Sequence, residues 1–180
     1  MKFNNRENEK ITLANGRVLW NSRSVALVAV ILVVLDDGQG YVLMNKRGPS
    51  CPDEVGKWVM PCGYLDWDES CVDGCIREVY EETGLDVGIL AERSVFNSFE
   101  DEQPFYVSSK PKNDNKQNVS HYYGLAADAH ELPKLTSEHC APGEVEELAW
   151  VKLQDLDNLE VGFSHLAIIE RFVDVLDDKV

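Results

Sequence analysis

The sequence predicts an α/β fold in which helices pack on both faces of a curved, mixed β-sheet. Residues 24–35 form a nearly continuous apolar run rich in Val and Ile, as expected for a central strand covered on both faces. Residues 69–83 and 162–177 instead repeat apolar residues at helical spacing, one segment in mid-chain and the other near the end. Short β-prone segments surround these three elements, so helices and strands alternate along the chain.

The length and the net charge of the chain limit the classes of function that it can have. A chain of 180 residues fits one domain, spanning 1–180, that is large enough to bury a substantial core. Its 32 acidic and 17 basic residues leave a net charge of −15, which disfavours binding to long nucleic acids and to anionic membranes. A small phosphorylated substrate remains compatible, because metal ions can supply positive charge locally. Nothing in the sequence decides between a monomer and a homodimer.

The sequence predicts a cytoplasmic protein with reduced thiols. The N-terminal residues are polar and lack the apolar stretch of a secretory signal, and the longest apolar run, residues 25–35, is too short to span a bilayer. Five cysteines are an odd number, and Cys71 and Cys75 stand four apart without the partners that a zinc site requires. We therefore expect small, partly buried thiols.

The first third of the chain alternates strands and turns. Asn15-Gly16 is a strong hairpin signal, which predicts a hairpin over about 11–20. After the central strand and a turn at 36–38, the expected elements are a strand at 41–45, an irregular loop at 46–57 and a short strand at 58–60.

The remainder carries further strands and a terminal helix. The expected elements are one or two strands in 85–99, strands at 105–109 and 119–127 joined by an exposed loop at 110–118, an irregular segment at 128–143, a strand at 144–151, a helical turn at 152–159 and the helix at 162–177.

The mid-chain helix has recognisable ends. Asp66 or Asp68 can serve as its N-cap, and Asp66 with Glu69 has the spacing of a capping box. Gly84 suits a left-handed C-cap, so the helix should run over about 69–83. Its core-facing stripe consists of Val72, Cys75, Ile76, Val79 and Thr83.

Another side of this helix is acidic. Glu78, Glu81 and Glu82 stand at i, i+3 and i+4 and fall together, with the small residues Gly74 and Cys71 leaving room beside them. Such a cluster is either a solvated surface or a site for a divalent cation, which removes the repulsion between the carboxylates. Carboxylate oxygens suit Mg²⁺ or Mn²⁺, which also bind substrate phosphates.

Residues 63–85, GYLDWDESCVDGCIREVYEETGL, carry a longer pattern. They resemble the Nudix box, G-x5-E-x7-R-E-U-x-E-E-x-G-U, where U is aliphatic, and every specified position is filled. Those positions are Gly63, Glu69, Arg77, Glu78, Val79, Glu81, Glu82, Gly84 and Leu85. The chain departs from many relatives by having Cys62 where they have a second glycine.

The resemblance implies an α/β/α sandwich and a metal-dependent hydrolase. Its substrate would be a nucleoside diphosphate linked to another moiety: a nucleoside triphosphate, a nucleotide sugar, ADP-ribose or a similar compound. It also implies roles: Glu81 and Glu82 as principal ligands of Mg²⁺ or Mn²⁺, Glu78 as a further ligand or the base, the Gly63 carbonyl as an extra ligand, and Glu69 and Arg77 as catalytic positioning residues. The alternative is a Nudix-fold module that senses nucleotides without cleaving them, although such modules usually lose box glutamates. An mRNA-decapping activity is disfavoured by the net charge.

The general base is open between a box glutamate and a later one. Glu144 and Glu147, six and three residues before Trp150, are the later candidates, and each also suits a solvated edge. Arg47 either contacts a substrate phosphate or is an ordinary surface arginine. Trp20 and Trp58 are candidates for stacking on a base or sugar, although core packing is the simpler expectation for Trp58. An EF-hand reading of Asp66-x-Asp68 fails, because the required glycine and glutamate are missing.

Overall fold

The structure, a computed structural model, describes residues 9–21, 24–110 and 117–178. Its strands are β1 (Glu9–Thr12), β2 (Val18–Asn21), β3 (Ser24–Leu35), β4 (Gly40–Arg47), β5 (Trp58–Val59), β6 (Cys62–Tyr64), β7 (Ser94–Asn97), β8 (Tyr106–Ser108), β9 (Asn118–Ala129) and β10 (Val145–Lys152). Its helices are α1 (Cys71–Thr83), α2 (Gly88–Ala91) and α3 (His165–Asp177), and a 3₁₀ turn spans Leu153–Asn158.

The main sheet is mixed, as the sequence predicts. The order β10-β4-β3-β9-β7 forms its path, with β5 beside β4, β6 beside β3 and β8 beside β9. β3 and β9 run parallel over their whole length, whereas the other strand pairs in this sheet are antiparallel. The parallel pair is central, which explains the unbroken apolarity of β3.

The two faces of the sheet are covered by different helices. Alternate residues of β3 point to opposite faces: Leu27 and Ile31 pack in one core with the buried side of α1, and Val28 and Val30 pack in a second core with α3. This arrangement confirms the α/β/α sandwich.

The N-terminal hairpin is also present, as a separate two-stranded antiparallel sheet of β1 and β2. Gly16 has φ +82°, and its N–H donates to the carbonyl of Leu13. Residues 111–116, most of the predicted exposed loop, lie outside the described part of the chain.

The predicted start of the mid-chain helix is wrong by two residues. Ser70, not an aspartate, is the N-cap of α1, and its hydroxyl accepts from the backbone N–H of Asp73 at 3.1 Å. The backbone N–H of Asp66 does donate to Glu69 at 2.7 Å, but this bond closes the loop before the helix, and Asp68 has φ +64°. The C-cap prediction is confirmed, because Gly84 is left-handed with φ 68°.

Other boundaries differ for local reasons. The segment 85–99, predicted as strand, contains α2 before β7, because the Asp86 carboxylate accepts the N–H of Gly88 and turns the chain. The terminal helix starts at His165 rather than 162, since Phe163 and Ser164 both have positive φ. β6 was not anticipated as a strand. None of the helices in the described residues combines the length and apolarity needed to cross a bilayer.

Candidate active site

Glu82 is the buried centre of the acidic cluster. Only 5% of the residue is exposed, and its Oε2 accepts the side-chain amide of Asn45 at 2.8 Å and the backbone N–H of Cys62 at 3.0 Å. Among the described residues it has no ion-pair partner. Burial, reinforced by the charge of Glu78, raises its pKa well above the ordinary value. A carboxylate in this position is stabilised by any cation that reaches it.

Glu78 lies beside the first glycine of the box. A Cβ at Gly63 would overlap the carboxyl group of Glu78, so only glycine leaves room for this carboxylate against β6. Burial raises the pKa of Glu78 even though Arg77 donates to it at 2.7 Å. The structure therefore brings Gly63 and Glu78 together, as a shared ligand set requires.

Arg77 ties the box loop to the helix. Its Nε and Nη2 form a bidentate pair with Glu69, at 3.0 and 2.9 Å, and Nη2 also reaches the carbonyl of Tyr64. Its Nη1 donates to one oxygen each of Glu78 and Glu81, at 2.7 and 2.9 Å. The hydrogen bonds from Arg77 lower the pKa of Glu69, and those to Glu69 raise the pKa of Arg77. This geometry suits the predicted positioning roles of Glu69 and Arg77.

The three glutamates do not share one environment. Glu82 turns inward to Asn45, Glu78 lies against Gly63, and the side chain of Glu81 is 46% exposed. Gly74, which we expected to leave room beside them, is buried instead, where a Cβ would overlap Leu27 and Glu69. Its small size allows α1 to approach β3 closely rather than opening the site.

Of the two later glutamates, Glu144 lies near the box helix. Its charge raises the pKa of both Glu78 and Glu82, whereas Glu147 forms an ion pair with Lys46 at 2.9 Å. A register shift between Val145 and Glu147 interrupts the pairing of β10 with β4 between these two glutamates. The structure thus favours Glu144 over Glu147 as the base candidate.

Arg47 is not an ordinary surface arginine, because only 12% of its side chain is exposed. It donates to the carbonyl and carboxylate of Asp53, at 2.9 and 3.1 Å, and its guanidinium lies 4.9 Å from the ring of Phe163. Burial raises the pKa of Glu82, and the positive charge of Arg47 opposes that rise only in part. Trp58 is partly buried in the second core, and the side chain of Trp20 lies outside the described part.

Sequence reasoning missed three contributors. Asn45, at the end of an apolar strand, is 2% exposed and bonds Glu82; a single buried polar residue in that strand was the available signal. Cys140 donates its thiol to the Glu144 carboxylate at 3.5 Å. His139 stacks on Tyr80 of α1, with 4.7 Å between the ring centroids. The Tyr80–His139 stack joins distant segments, and Cys140 lies only four residues before Glu144 but in a segment without periodicity, so neither contact left a pattern in the sequence.

The donor set fits a hard divalent cation. Carboxylate oxygens, such as those of Glu78, Glu81 and Glu82, are of the type that Mg²⁺ and Mn²⁺ prefer. Within 9–21, 24–110 and 117–178, no three acidic, His or Cys side chains are already arranged as a metal shell. The bonds of Arg77 use one oxygen each of Glu78 and Glu81. The fit therefore rests on the buried, unpaired carboxylate of Glu82.

Proteins of known name match parts of this sequence. A putative 8-oxo-dGTP diphosphatase of Bacillus subtilis is 30% identical over 80 residues, which cover 43% of this chain and 50% of that protein. An m7GpppN-mRNA hydrolase of Bos taurus is 34% identical over 55 residues, 31% of this chain and 18% of that protein. The matches thus span half or less of each relative's length.

The fold is matched more completely than the sequence. The NUDIX domain of Shewanella oneidensis NrtR, solved in complex with ADP ribose, has a TM-score of 0.63 at 20% identity, over 86% of this chain and 89% of that chain. The family model for the NUDIX domain matches residues 26–172, most of the described sandwich and all of the box. The chain belongs to the NUDIX domain family.

Proposed function

We propose that the protein is a hydrolase, dependent on Mg²⁺ or Mn²⁺, that cleaves the pyrophosphate bond of a nucleoside diphosphate linked to another moiety. The observation that carries this proposal is the buried carboxylate of Glu82, which has no ion-pair partner among the described residues and lies within the electrostatic reach of Glu78 and Glu144. A cation between these groups and a diphosphate would neutralise both.

Each box residue has a part in this reaction. Glu78, Glu81, Glu82 and the Gly63 carbonyl would hold the cation, which supplies charge neutralisation and polarises the phosphoryl oxygens. Arg77 and Glu69 position these carboxylates through the contacts described above.

Two residues outside the box complete the proposed site. Glu144 takes the proton from the water that attacks phosphorus in line. Arg47 adds positive charge beside the diphosphate, held by Asp53 and Phe163.

The substrate class follows from the same chemistry. We infer a small nucleotide derivative, such as a nucleoside triphosphate, a nucleotide sugar or ADP-ribose, in line with the 8-oxo-dGTP and ADP ribose named for similar proteins. A net charge of −15 disfavours a long RNA, although one relative acts on mRNA caps.

The test is a substrate panel with Mg²⁺ or Mn²⁺ on the wild type, Glu82→Gln and a matched control, Glu146→Gln, whose exposed carboxylate pairs with Lys46. We expect release of a phosphorylated product, full activity in the control, and a loss of at least about 10²-fold in Glu82→Gln. EDTA should abolish turnover. Activity that survives both EDTA and Glu82→Gln contradicts the metal assignment. Nucleotide binding without any turnover supports the sensing module instead.

We also propose that residues 1–180 act as a single domain in the cytoplasm. The five cysteines, which are all free thiols, motivate the location, and cell fractionation checks it. Light scattering, which measures the molecular mass in solution, decides between a monomer and a homodimer.

A further inference from the structure

Glu144 is an exposed residue in the loop before β10, where that loop packs against the loop after β4. One loop follows β4 and includes Gly48 and Cys51, and the other precedes β10 and includes Cys140. Backbone contacts join the loops directly, because Ser50 donates to the carbonyl of Gly143 at 2.9 Å. A Cβ at Gly48 would overlap that same carbonyl, so the two backbones approach as closely as glycine allows. The position of Glu144 is therefore determined by contacts rather than by a free loop.

The backbone of Glu144 is bound first. Its carbonyl accepts the N–H of Gly48 at 2.7 Å and the thiol of Cys51 at 3.2 Å, and its own N–H donates to Ala141 at 3.1 Å. These contacts fix the main chain but leave the direction of the carboxylate undetermined, since a Glu side chain has three rotatable bonds.

Cys140 supplies the contact that selects the direction. Its thiol lies 3.5 Å from Oε2 of Glu144, within hydrogen-bonding range for sulfur. Burial and the charge of Glu144 raise the pKa of Cys140 to about 12, so the thiol stays protonated and remains a donor at neutral pH. The charge of Glu144 in turn acts on Glu78 and Glu82, where it adds to the effect of burial in raising their pKa values.

The segment that carries Cys140 is itself anchored on α1. His139 stacks on Tyr80, with an interplanar angle of 18°, and the N–H of Thr136 donates to the carbonyl of Thr83 at 2.9 Å. Both anchors lie on the helix that also carries Glu78 and Glu82. The helix therefore sets the distance between its own carboxylates and Glu144.

We propose that Cys140 is a positioning residue whose S–H holds the carboxylate of Glu144 toward the box glutamates, with the Tyr80–His139 stack fixing the segment to α1. The kinetic consequence rests on the proposed function, in which Glu144 is the base, whereas the contact between Cys140 and Glu144 does not depend on it. The contact and its effect on kcat are therefore tested by separate experiments.

The first experiment reads the contact without any turnover. Cys140 is alkylated with iodoacetamide at mildly alkaline pH, and its rate is followed by mass spectrometry in the wild type, Glu144→Gln and Glu146→Gln. Removing the adjacent negative charge favours the thiolate, so we expect several-fold faster alkylation in Glu144→Gln and an unchanged rate in Glu146→Gln. Equal rates in all three proteins overturn the proposal.

The second experiment measures kcat and KM of Cys140 variants with the substrate that the panel identifies. Cys140→Ala removes the donor, and Cys140→Ser keeps one. We expect Cys140→Ala to lower kcat by between about 3-fold and 100-fold with KM within about twofold, because a misplaced catalytic group affects chemistry more than binding. Cys140→Ser should recover most of the activity, and thermal unfolding should confirm that both variants are folded.

A double variant tests whether Cys140 acts through Glu144. Adding Cys140→Ala to Glu144→Gln should cause no further loss of kcat, since the group being positioned is already absent. The positioning role is overturned if the losses of kcat in the two single variants multiply in the double variant. It is also overturned if Cys140→Ser is no more active than Cys140→Ala. Full activity in Glu144→Gln alone removes the base assignment and the kinetic part of this proposal, while leaving hydrolysis intact. A wild type that turns over nothing defeats the proposed function, and the alkylation result still decides the contact.

Discussion

Asn45 donates its side-chain amide to Glu82 across 2.8 Å, and both residues are almost completely buried. The other end of the Asn45 amide, Oδ1, has no hydrogen-bond partner within the described part of the chain. The orientation is dictated by Glu82, because a flipped amide would place two acceptors face to face. β4 and α1 are thus joined by a buried polar pair. Among the described residues, the amide oxygen of Asn45 lacks a hydrogen-bond donor and the carboxylate of Glu82 lacks an ion-pair partner.

The first prediction concerns Asn45→Asp. Two carboxylates would then face each other in the core, so we expect the metal-free protein to lose about 3–5 kcal/mol of unfolding free energy at neutral pH. Divalent cation should restore more stability to this variant than to the wild type, because it neutralises the added charge. Urea unfolding with Mg²⁺ and with EDTA measures both effects. Asn158→Asp, at an exposed position, is the control, and equal losses in the two variants would contradict the prediction.

The second prediction concerns the stability of Glu82→Gln. The amide oxygen of Gln can accept the same two donors without a buried charge, so the variant should be at least as stable as the wild type in EDTA. The rise in Tm that Mn²⁺ produces in the wild type should be lost. Differential scanning fluorimetry with and without Mn²⁺ makes the comparison. A variant that is clearly less stable in EDTA argues that Glu82 is a structural residue.

The third prediction concerns Gly63→Ala. The added methyl group would overlap the Glu78 carboxyl group, so Glu78 must move, and we expect kcat to fall about tenfold or more. Gly40→Ala is a matched control, because its Cβ meets only the end of the Leu153 side chain, which is flexible and remote from the box. Steady-state kinetics on both variants, with thermal unfolding as the check on folding, tests the prediction. Comparable kcat values in the two variants would refute it.

The fourth prediction concerns the pH dependence of the Glu69–Arg77 pair. Arg77 lowers the pKa of Glu69 below its ordinary value of 4.5. The pair therefore contributes stability above that value, and the contribution is lost as the pH falls through the lower pKa of the folded state. Glu69→Gln should cost about 1.5–3 kcal/mol near neutral pH. The difference from the wild type should shrink as the pH is lowered, as measured by urea titrations. A difference that does not change with pH would show that the charge of Glu69 is not involved.

Local signals predicted most of the fold. Asn15-Gly16 predicted the hairpin, Gly84 predicted the C-cap, and the apolar run of β3 predicted a central strand. The boundaries were misplaced where a side chain accepts a hydrogen bond from a nearby backbone N–H, as at Ser70 and Asp86. Several polar residues in each segment could have accepted the same bond, so the sequence does not identify which one does.

The box residues could be named in advance, but their environments could not. Helical spacing groups Glu81 and Glu82 with Glu78, yet Glu81 is half exposed and Glu82 is buried against Asn45. The difference depends on which side of α1 meets the sheet and on what packs against it, and the packing partner is not recorded in local sequence.

The amino-acid order by itself determined that one helix of this protein carries the glutamates, the arginine and the capping glycine of the family pattern, since these depend only on spacing along the chain. Tertiary structure decided that Glu82 is the buried carboxylate, that Glu144 rather than Glu147 approaches it, and that Cys140 binds Glu144. Asn45 lies 37 positions before Glu82 in the chain, and only the packing of strands and loops around one helix brings such residues together.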